Sequence, residues 1–339
     1  MAKILVTGGL GFIGSHTVVE LINAGHEAVI VDDLSNATMQ ALSGIEKITG
    51  NCPEFVRVDL KNKKEVQNFF GSHTDIDGII HFAAFKAVGE SVNKPLEYYE
   101  NNLGSLVYIL QEMRDLSLDN IIFSSSCTVY GQADELPITE SSPVKSAISP
   151  YGNTKQIGEE ILQDAIEAHN FNVISLRYFN PIGAHPSAEI GESPLGIPLN
   201  LVPFVTQTAA GVRQQLSVFG NDYETRDGTN ERDYIHVVDV AKAHVIAVER
   251  LLKRKNQSNY EFFNLGTGTG STVLEVIQSF ERVSGESLNY KIVERRRGDV
   301  TAAFADTTKA NAELGWKTEK TLDDAIADAW RWEKKIRNI

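Results

Sequence analysis

The sequence predicts a doubly wound α/β fold built on a mostly parallel sheet, with a smaller α/β lobe in its second half. Two observations predict it. Short apolar runs of strand length recur through the first half, and stretches of helical periodicity separate them. The first run also feeds a glycine-rich turn that opens straight into a helix pattern.

Lys3–Thr7 reads as a buried strand. Gly8-Gly9-Leu10-Gly11-Phe12-Ile13-Gly14 follows it, and Val18, Val19, Leu21 and Ile22 continue at helical spacing. Strand, glycine turn and helix make a phosphate site: glycines let the backbone approach a pyrophosphate, and the helix N-terminus faces the anion. The spacing Gly8-x-x-Gly11-x-x-Gly14 is wider at its start than the plain Gly-x-Gly-x-x-Gly pattern. A second run, Ala28–Val31, ends in Asp32-Asp33. A carboxylate there bonds ribose hydroxyls and repels a 2′-phosphate, which points to NAD rather than NADP and to a Rossmann arrangement.

Further strands are expected at Phe55–Val58, Ile79–Phe82, Ile121–Ser124 and Val173–Leu176, with helices over Lys64–Phe70, Pro95–Leu110 and Gln156–Ala168. Ligands of such sheets bind beyond the carboxyl ends of the strands. Asp59, His81 through Ala84, Ser124 through Ser126 and Arg177 through Asn180 all stand at those ends. His81 and His236 read as structural histidines.

Ser149-Pro150 is a helix-start signal, because a hydroxyl can cap free N–H groups and the proline ring already holds helical φ. A helix from there puts Tyr151 and Lys155 on one face. An ammonium beside a phenol favours the phenolate, so Tyr151 is expected to act as a base below its free pKa of about 10. Taken alone, Tyr-x-x-x-Lys also describes an ordinary surface turn; the surrounding strand ends give it weight.

After Pro181 the texture changes. Residues 181–203 carry repeated Pro and Gly turn signals and read as a long loop over the site. A helix over Leu201–Gly211, a strand at Leu216–Phe219 and a helix over Val237–Leu252 follow. Gly266-Thr267-Gly268-Thr269-Gly270 resembles a second phosphate loop but reads as a turn. The expected division is residues 1–180 as the NAD-binding domain and 181–339 as the smaller lobe, with some elements passing between them.

Composition narrows the partners. The chain has 339 residues, 42% of them hydrophobic and 23% charged, as in ordinary globular proteins. A net charge of −13 argues against nucleic acid and anionic membranes, which seek basic surfaces. Cys52 and Cys127 have no metal-like spacing, so no metal is expected, and a reducing cytoplasm is the simplest compartment. No leader is seen, and no apolar run approaches the ~20 residues that span a bilayer.

Beyond these readings, the chain resembles the extended short-chain dehydrogenase/reductases and, among them, the UDP-glucose 4-epimerase family. The resemblance rests on Gly8–Gly14, Phe82 through Ser91, Pro95 through Tyr99, Ser124–Gly131, Tyr151–Lys155, Arg177–Gly183, Gly220 through Tyr223, Arg232–Val237 and Arg295–Asp299. It implies NAD-dependent, reversible C4 epimerisation of UDP-glucose and UDP-galactose through a transient 4-keto sugar. It implies that Tyr151 is the base, that Lys155 bonds the nicotinamide ribose and lowers the tyrosine pKa, and that Ser126 bonds the sugar hydroxyl. Around NAD it places Gly8, Gly11, Phe12, Ile13, Gly14, Asp32, Asp33, Leu34, Ser35, Asn36, Ala37, Asp59, Leu60, Phe82, Ala83, Ala84, Phe85, Lys86, Asn101 and Phe179. Around the UDP-sugar it places Asn180, Asn200, Leu201, Ser217, Val218, Phe219, Arg232 and Arg296 through Asp299. Two guanidinium forks suit a diphosphate that an acidic protein would otherwise repel, although Arg232 could instead pair with Asp233. A homodimer is also implied.

Related dehydratases carry an Asp-Glu pair, and related decarboxylases a Glu, where this chain has Cys127 and Thr128; that argues against both reactions. A non-catalytic NAD-binding regulator is the alternative of another class, and such proteins usually lack the Tyr/Lys pair. Four residues after Asp299, some bacterial relatives carry a tyrosine that walls the sugar pocket. Here the residue is Ala303, which is expected to leave room for an N-acetyl group and so admit UDP-GlcNAc and UDP-GalNAc. Ala84, where glycine is common, is the other departure.

Overall fold

The structure, a computed structural model, describes residues 1–296 and 299–339. The first half alternates as the apolar runs predict: β1 (Lys3–Thr7), α1 (Phe12–Asn23), β2 (Glu27–Asp32), α2 (Gln40–Thr49), β3 (Glu54–Arg57), α3 (Lys63–Ser72) and β4 (Gly78–His81). A short α4 (Val88–Asn93), the long α5 (Pro95–Leu116), β5 (Asn120–Ser126), α6 (Pro150–His169) and β6 (Asn172–Tyr178) follow. Continuous Ile/Val/Leu runs make these strands fit for burial on both faces. Ile4, Val6, Ile30, Ile80 and Ile122 face one apolar layer, and Leu5, Val29, Ile79 and Ile121 face the other.

The second half contributes β7 (Asn180–Ile182), α7 (Leu201–Ala209), β8 (Leu216–Phe219), β9 (Glu231–Arg232), β10 (Tyr234–His236) and α8 (Val237–Leu252). Then come β11 (Tyr260–Leu265), β12 (Ser271–Thr272), α9 (Val273–Ser284), β13 (Tyr290–Val293), β14 (Ala302–Ala303) and α10 (Leu322–Arg337). Among the described residues the main sheet has seven strands in the order β11-β6-β5-β4-β1-β2-β3, every pair parallel. The order reverses at β1, so the loops after β1 and β4 flank a crevice at the carboxyl edge, where such sheets take ligands. β11 and α8 come from beyond residue 180, yet both pack with the main sheet.

The expected loop over 181–203 is shorter than predicted. β7 begins it and pairs with β10, and α7 ends it at Leu201. The remainder of the second half contains patches of two and three strands: β8 with β13, and β9 between β12 and β14. No described helix is long and apolar enough to cross a membrane.

A buried ion pair ties α6 to the sheet. Arg177 of β6 donates to Glu159 of α6 through Nε at 2.9 Å and Nη2 at 2.5 Å, and Ser125 of β5 donates to the same carboxylate at 2.5 Å. The guanidinium also donates to the Tyr130 hydroxyl at 3.0 Å and stacks 4.2 Å from the Phe262 ring.

Candidate active site

The N-terminus of α6 forms as Ser149-Pro150 dictates. The Ser149 hydroxyl accepts from the Gly152 N–H at 3.1 Å, and Pro150 opens the helix. Four residues apart on one face, Tyr151 and Lys155 are both buried, 8% and 4% exposed. Lys155 Nζ donates to the Ser124 carbonyl at 2.7 Å and stands 5.9 Å from the Tyr151 ring centre. Ser126 ends β5 beside them, its hydroxyl accepting from the Thr128 N–H at 3.2 Å.

Burial controls the charges here. It lowers Lys155 to about 8, against a smaller upward pull from Glu159. It pushes the Tyr151 phenol above its ordinary value, with Tyr178 adding to the rise and the Ser126 hydroxyl pulling it down. The expectation that Lys155 draws the phenol down is therefore corrected for the protein alone. The ammonium is committed to Ser124, and removal from water outweighs any nearby favourable contact.

The glycine loop and Asp32 fit a dinucleotide. Gly14 is packed so tightly that a Cβ there would stand 2.2 Å from the Gly8 carbonyl oxygen. Asp32 is buried at the end of β2, where Leu10 N–H donates to it at 3.2 Å and Leu34 N–H at 2.9 Å. Burial raises its pKa, and those two N–H groups oppose the rise. Leu34 holds φ at +62°, a conformation costly for a branched side chain, and Ser35, Asn36 and Ala37 complete the turn after Asp33. Asp59 and Leu60 follow β3 at the same edge.

On the far wall, Phe82 through Lys86 run from β4, and Lys86 Nζ lies 5.9 Å from the Phe12 ring centre. This wall is anchored by a residue that sequence reading missed. Asn102 accepts from Phe85 N–H at 2.8 Å and donates to the Phe85 carbonyl and Thr154, both at 3.0 Å. Tyr98 likewise brackets Ala87. The signal for Asn102 was a polar residue in the buried stripe of α5; Asn101, which was expected at the site, donates to it at 2.9 Å.

Candidates for the substrate side converge through short strands. Ala303 pairs with Arg232, and Asn180 pairs with Tyr234. Phe179 belongs to a small apolar cluster against which Cys127 and Ala303 pack, so the Ser126 end and Ala303 share one wall. Arg232 donates to the Glu231 carbonyl at 2.7 Å, while the Asp233 carboxylate is engaged by other groups, so the alternative of an Arg232–Asp233 pair does not occur. Ser217, Val218 and Phe219 lie on β8, and Arg296 stands 5.6 Å from the Phe219 ring centre while paired with Asp299 at 2.8 Å. Arg297 and Gly298 lie outside the described residues. Asn200 and Leu201 stand at the start of α7, and Asn200 donates to Glu192 at 2.7 Å. Glu192 also pairs with Lys86 at 3.1 Å, linking the two sides through another residue that the sequence reading overlooked.

Known proteins resemble this chain over nearly its whole length. UDP-glucose 4-epimerase of Bacillus subtilis (strain 168) is 51% identical over 336 residues, covering 99% of this chain and 98% of its own length. The chain belongs to the UDP-glucose 4-epimerase family. The broader sequence profile of the GDP-mannose 4,6 dehydratase family matches residues 5–329. The crystal structure of UDP-glucose-4-epimerase from Stenotrophomonas maltophila with bound NAD and formylated UDP-arabinopyranose is 44% identical, with a TM-score of 0.95 and coverage of 100% of this chain and 99% of that one. UDP-glucose 4-epimerase from Bifidobacterium longum in complex with NAD+ and UDP is 46% identical, with a TM-score of 0.94 and 99% of both chains covered.

Within the broader profile, Cys127 and Thr128 separate this epimerase-family chain from dehydration chemistry. Burial pushes the Cys127 thiol up to about 12, and threonine does not ionise, so neither serves as acid and base at neighbouring sugar carbons.

Lys155 gives a pH prediction. Its folded pKa lies below the ordinary 10.5, so the cost of burying the ammonium is present in full below pH 8 and is relieved as pH rises towards 10.5. In cofactor-free protein, the NMR signal of its ε-carbon, assigned by its loss in Lys155→Met, is expected to titrate near 8. A midpoint near 10.5 would contradict this account.

Proposed function

We propose that this chain catalyses the NAD-dependent, reversible C4 epimerisation of UDP-glucose and UDP-galactose. The observation that carries the reading is the gathering of Ser126, Tyr151 and Lys155, all buried, at the carboxyl edge of a parallel sheet beside a dinucleotide loop. Gly8, Gly11, Gly14, Asp32 and the 82–86 loop hold the dinucleotide, and Lys155 meets its nicotinamide ribose. NAD, when bound there, supplies the acceptor and donor of the C4 hydride and a positive ring that favours the phenolate.

Tyr151 takes the proton of the 4-hydroxyl and later returns it, and Ser126 bonds the same hydroxyl and passes the proton. Asn180, Asn200, Ser217 through Phe219, Arg232 and Arg296 grip the UDP portion. The sugar is left loose enough to turn about its bond to the diphosphate and present its other face. In this reading residues 1–180, joined by α8 and β11, form the nucleotide domain, and the remainder of 181–339 forms the UDP-sugar lobe. A cytoplasmic homodimer fits the two free cysteines and the exposed Val88, Val92 and Leu96, apolar surface that a second copy would cover.

Purified protein given UDP-galactose and no added cofactor is expected to produce UDP-glucose, and Tyr151→Phe to slow this by about 100-fold or more. No conversion by the parent, even with NAD supplied, would refute the reading. Ala303 carries the finer proposal that N-acetylated UDP-sugars are also turned over, because a methyl group, the smallest side chain after glycine, stands where it packs against the Phe179 cluster that Cys127 also touches. Ala303→Tyr is expected to lower turnover of UDP-GalNAc relative to UDP-galactose by about 10-fold or more. An unchanged ratio would sink that proposal.

A further inference from the structure

The Gly266–Gly270 run has the composition of a phosphate loop, and its amides do bind an anion, but the anion is the chain's own. Asp233, fully buried, accepts at Oδ1 from the Thr267 N–H at 2.8 Å and the Thr267 hydroxyl at 2.7 Å. At Oδ2 it accepts from the Gly268 N–H at 3.3 Å and the Ala305 N–H at 3.1 Å. A Cβ on Gly266 would stand 2.2 Å from Oδ2, so the carboxylate fills the space that glycine leaves. The backbone of the same residue reaches two more segments: Asp233 N–H donates to the Ala303 carbonyl at 3.0 Å, and the Asn180 N–H donates to the Asp233 carbonyl at 3.0 Å.

Asp233 thus joins four stretches distant in sequence. These are the end of β6 running into β7, the β9–β10 junction, the turn after β11, and β14 with its exit. Arg232 is its immediate neighbour, and Asn180 and Ala303 hang from its backbone. We infer that Asp233 is a positioning residue for UDP-sugar binding, the fixed anion on which Asn180, Arg232 and Ala303 are set at their mutual spacing.

The inference rests on the reading that those three residues face the UDP-sugar. It concerns binding rather than the proton chemistry, because Tyr151, Lys155 and Ser126 are held by α6 and β5.

The chemistry of the carboxylate dictates the test. Every group bonded to it is a donor, and three of the four are backbone N–H groups that can only donate. Asp233→Asn keeps the shape but turns an NH₂ against one pair of donors, leaving buried N–H groups unsatisfied. The holoenzyme variant is expected to show a KM for UDP-galactose raised about 10-fold or more, with kcat changed less than about 3-fold. Its retained NAD, released on denaturation and quantified, is expected to equal the parent's. Thr267→Ala removes one bond of four and is expected to shift KM in the same direction by less, which keeps the test open should Asp233→Asn fail to fold.

An unchanged KM in the variants that fold, a loss confined to kcat, or a rise in KM accompanied by loss of NAD would overturn the inference. A parent enzyme that does not convert UDP-galactose would instead overturn the functional reading beneath it.

Discussion

The buried pair between Glu159 and Arg177 is the interaction on which the site depends. Burying two charges costs several kcal/mol for each ion, and only good geometry with further hydrogen bonds repays that. Here the guanidinium meets the carboxylate through two donors, while Ser125, Tyr130 and Phe262 engage what remains. Glu159 is one turn beyond Lys155 on α6, and Ser125 precedes Ser126 on β5. The pair therefore fixes the distance between the helix that carries the phenol and ammonium and the strand that carries the hydroxyl. A looser attachment would leave these three groups free to move relative to one another, and proton transfer tolerates little of that.

Desolvation is the second constraint. It lowers the affinity of Lys155 for its proton and raises that of Tyr151, so neither group is poised by the protein alone. The proposed base becomes competent when a positive charge enters beside the phenol, which makes cofactor binding part of its activation. The molecule then divides its labour. The carboxyl edge of the main sheet presents the dinucleotide loop and Ser126, α6 brings the proposed base Tyr151 and Lys155 beside them, and short strands from the second half arrange the residues proposed to hold the UDP-sugar.

Much of this was legible in the sequence. Long apolar runs announced the main strands to within a residue or two, because burial on both faces leaves an unbroken hydrophobic signal, as at Ile79-Ile80 and Ile121-Ile122. Tyr260–Leu265 escaped notice because Glu261 and Asn264 interrupt it; one pairs with Arg250 and the other with Tyr130, contacts made across the fold. Strands of two or three residues such as β9, β12 and β14 are too short for any periodicity. Among the candidate reacting groups, Tyr151 and Lys155 stood out by type and by their four-residue spacing after a helix-start signal, and Ser126 by its place at a strand end. Asn102, Glu192 and Asp233 did not, because they act by holding segments far apart in the chain: Asn102 reaches Thr154, and Asp233 reaches Thr267 and Ala305.

The central claim is that C4 is oxidised and reduced within one site, with no net exchange of its hydrogen. The most direct measurement is to incubate the holoenzyme with UDP-galactose deuterated at C4 in ordinary water and examine C4 of the UDP-glucose formed. The account predicts that deuterium remains at C4 of the inverted product, because the same hydride leaves and returns. Replacement of that deuterium by solvent hydrogen would contradict it and point to inversion by removal of a proton from carbon.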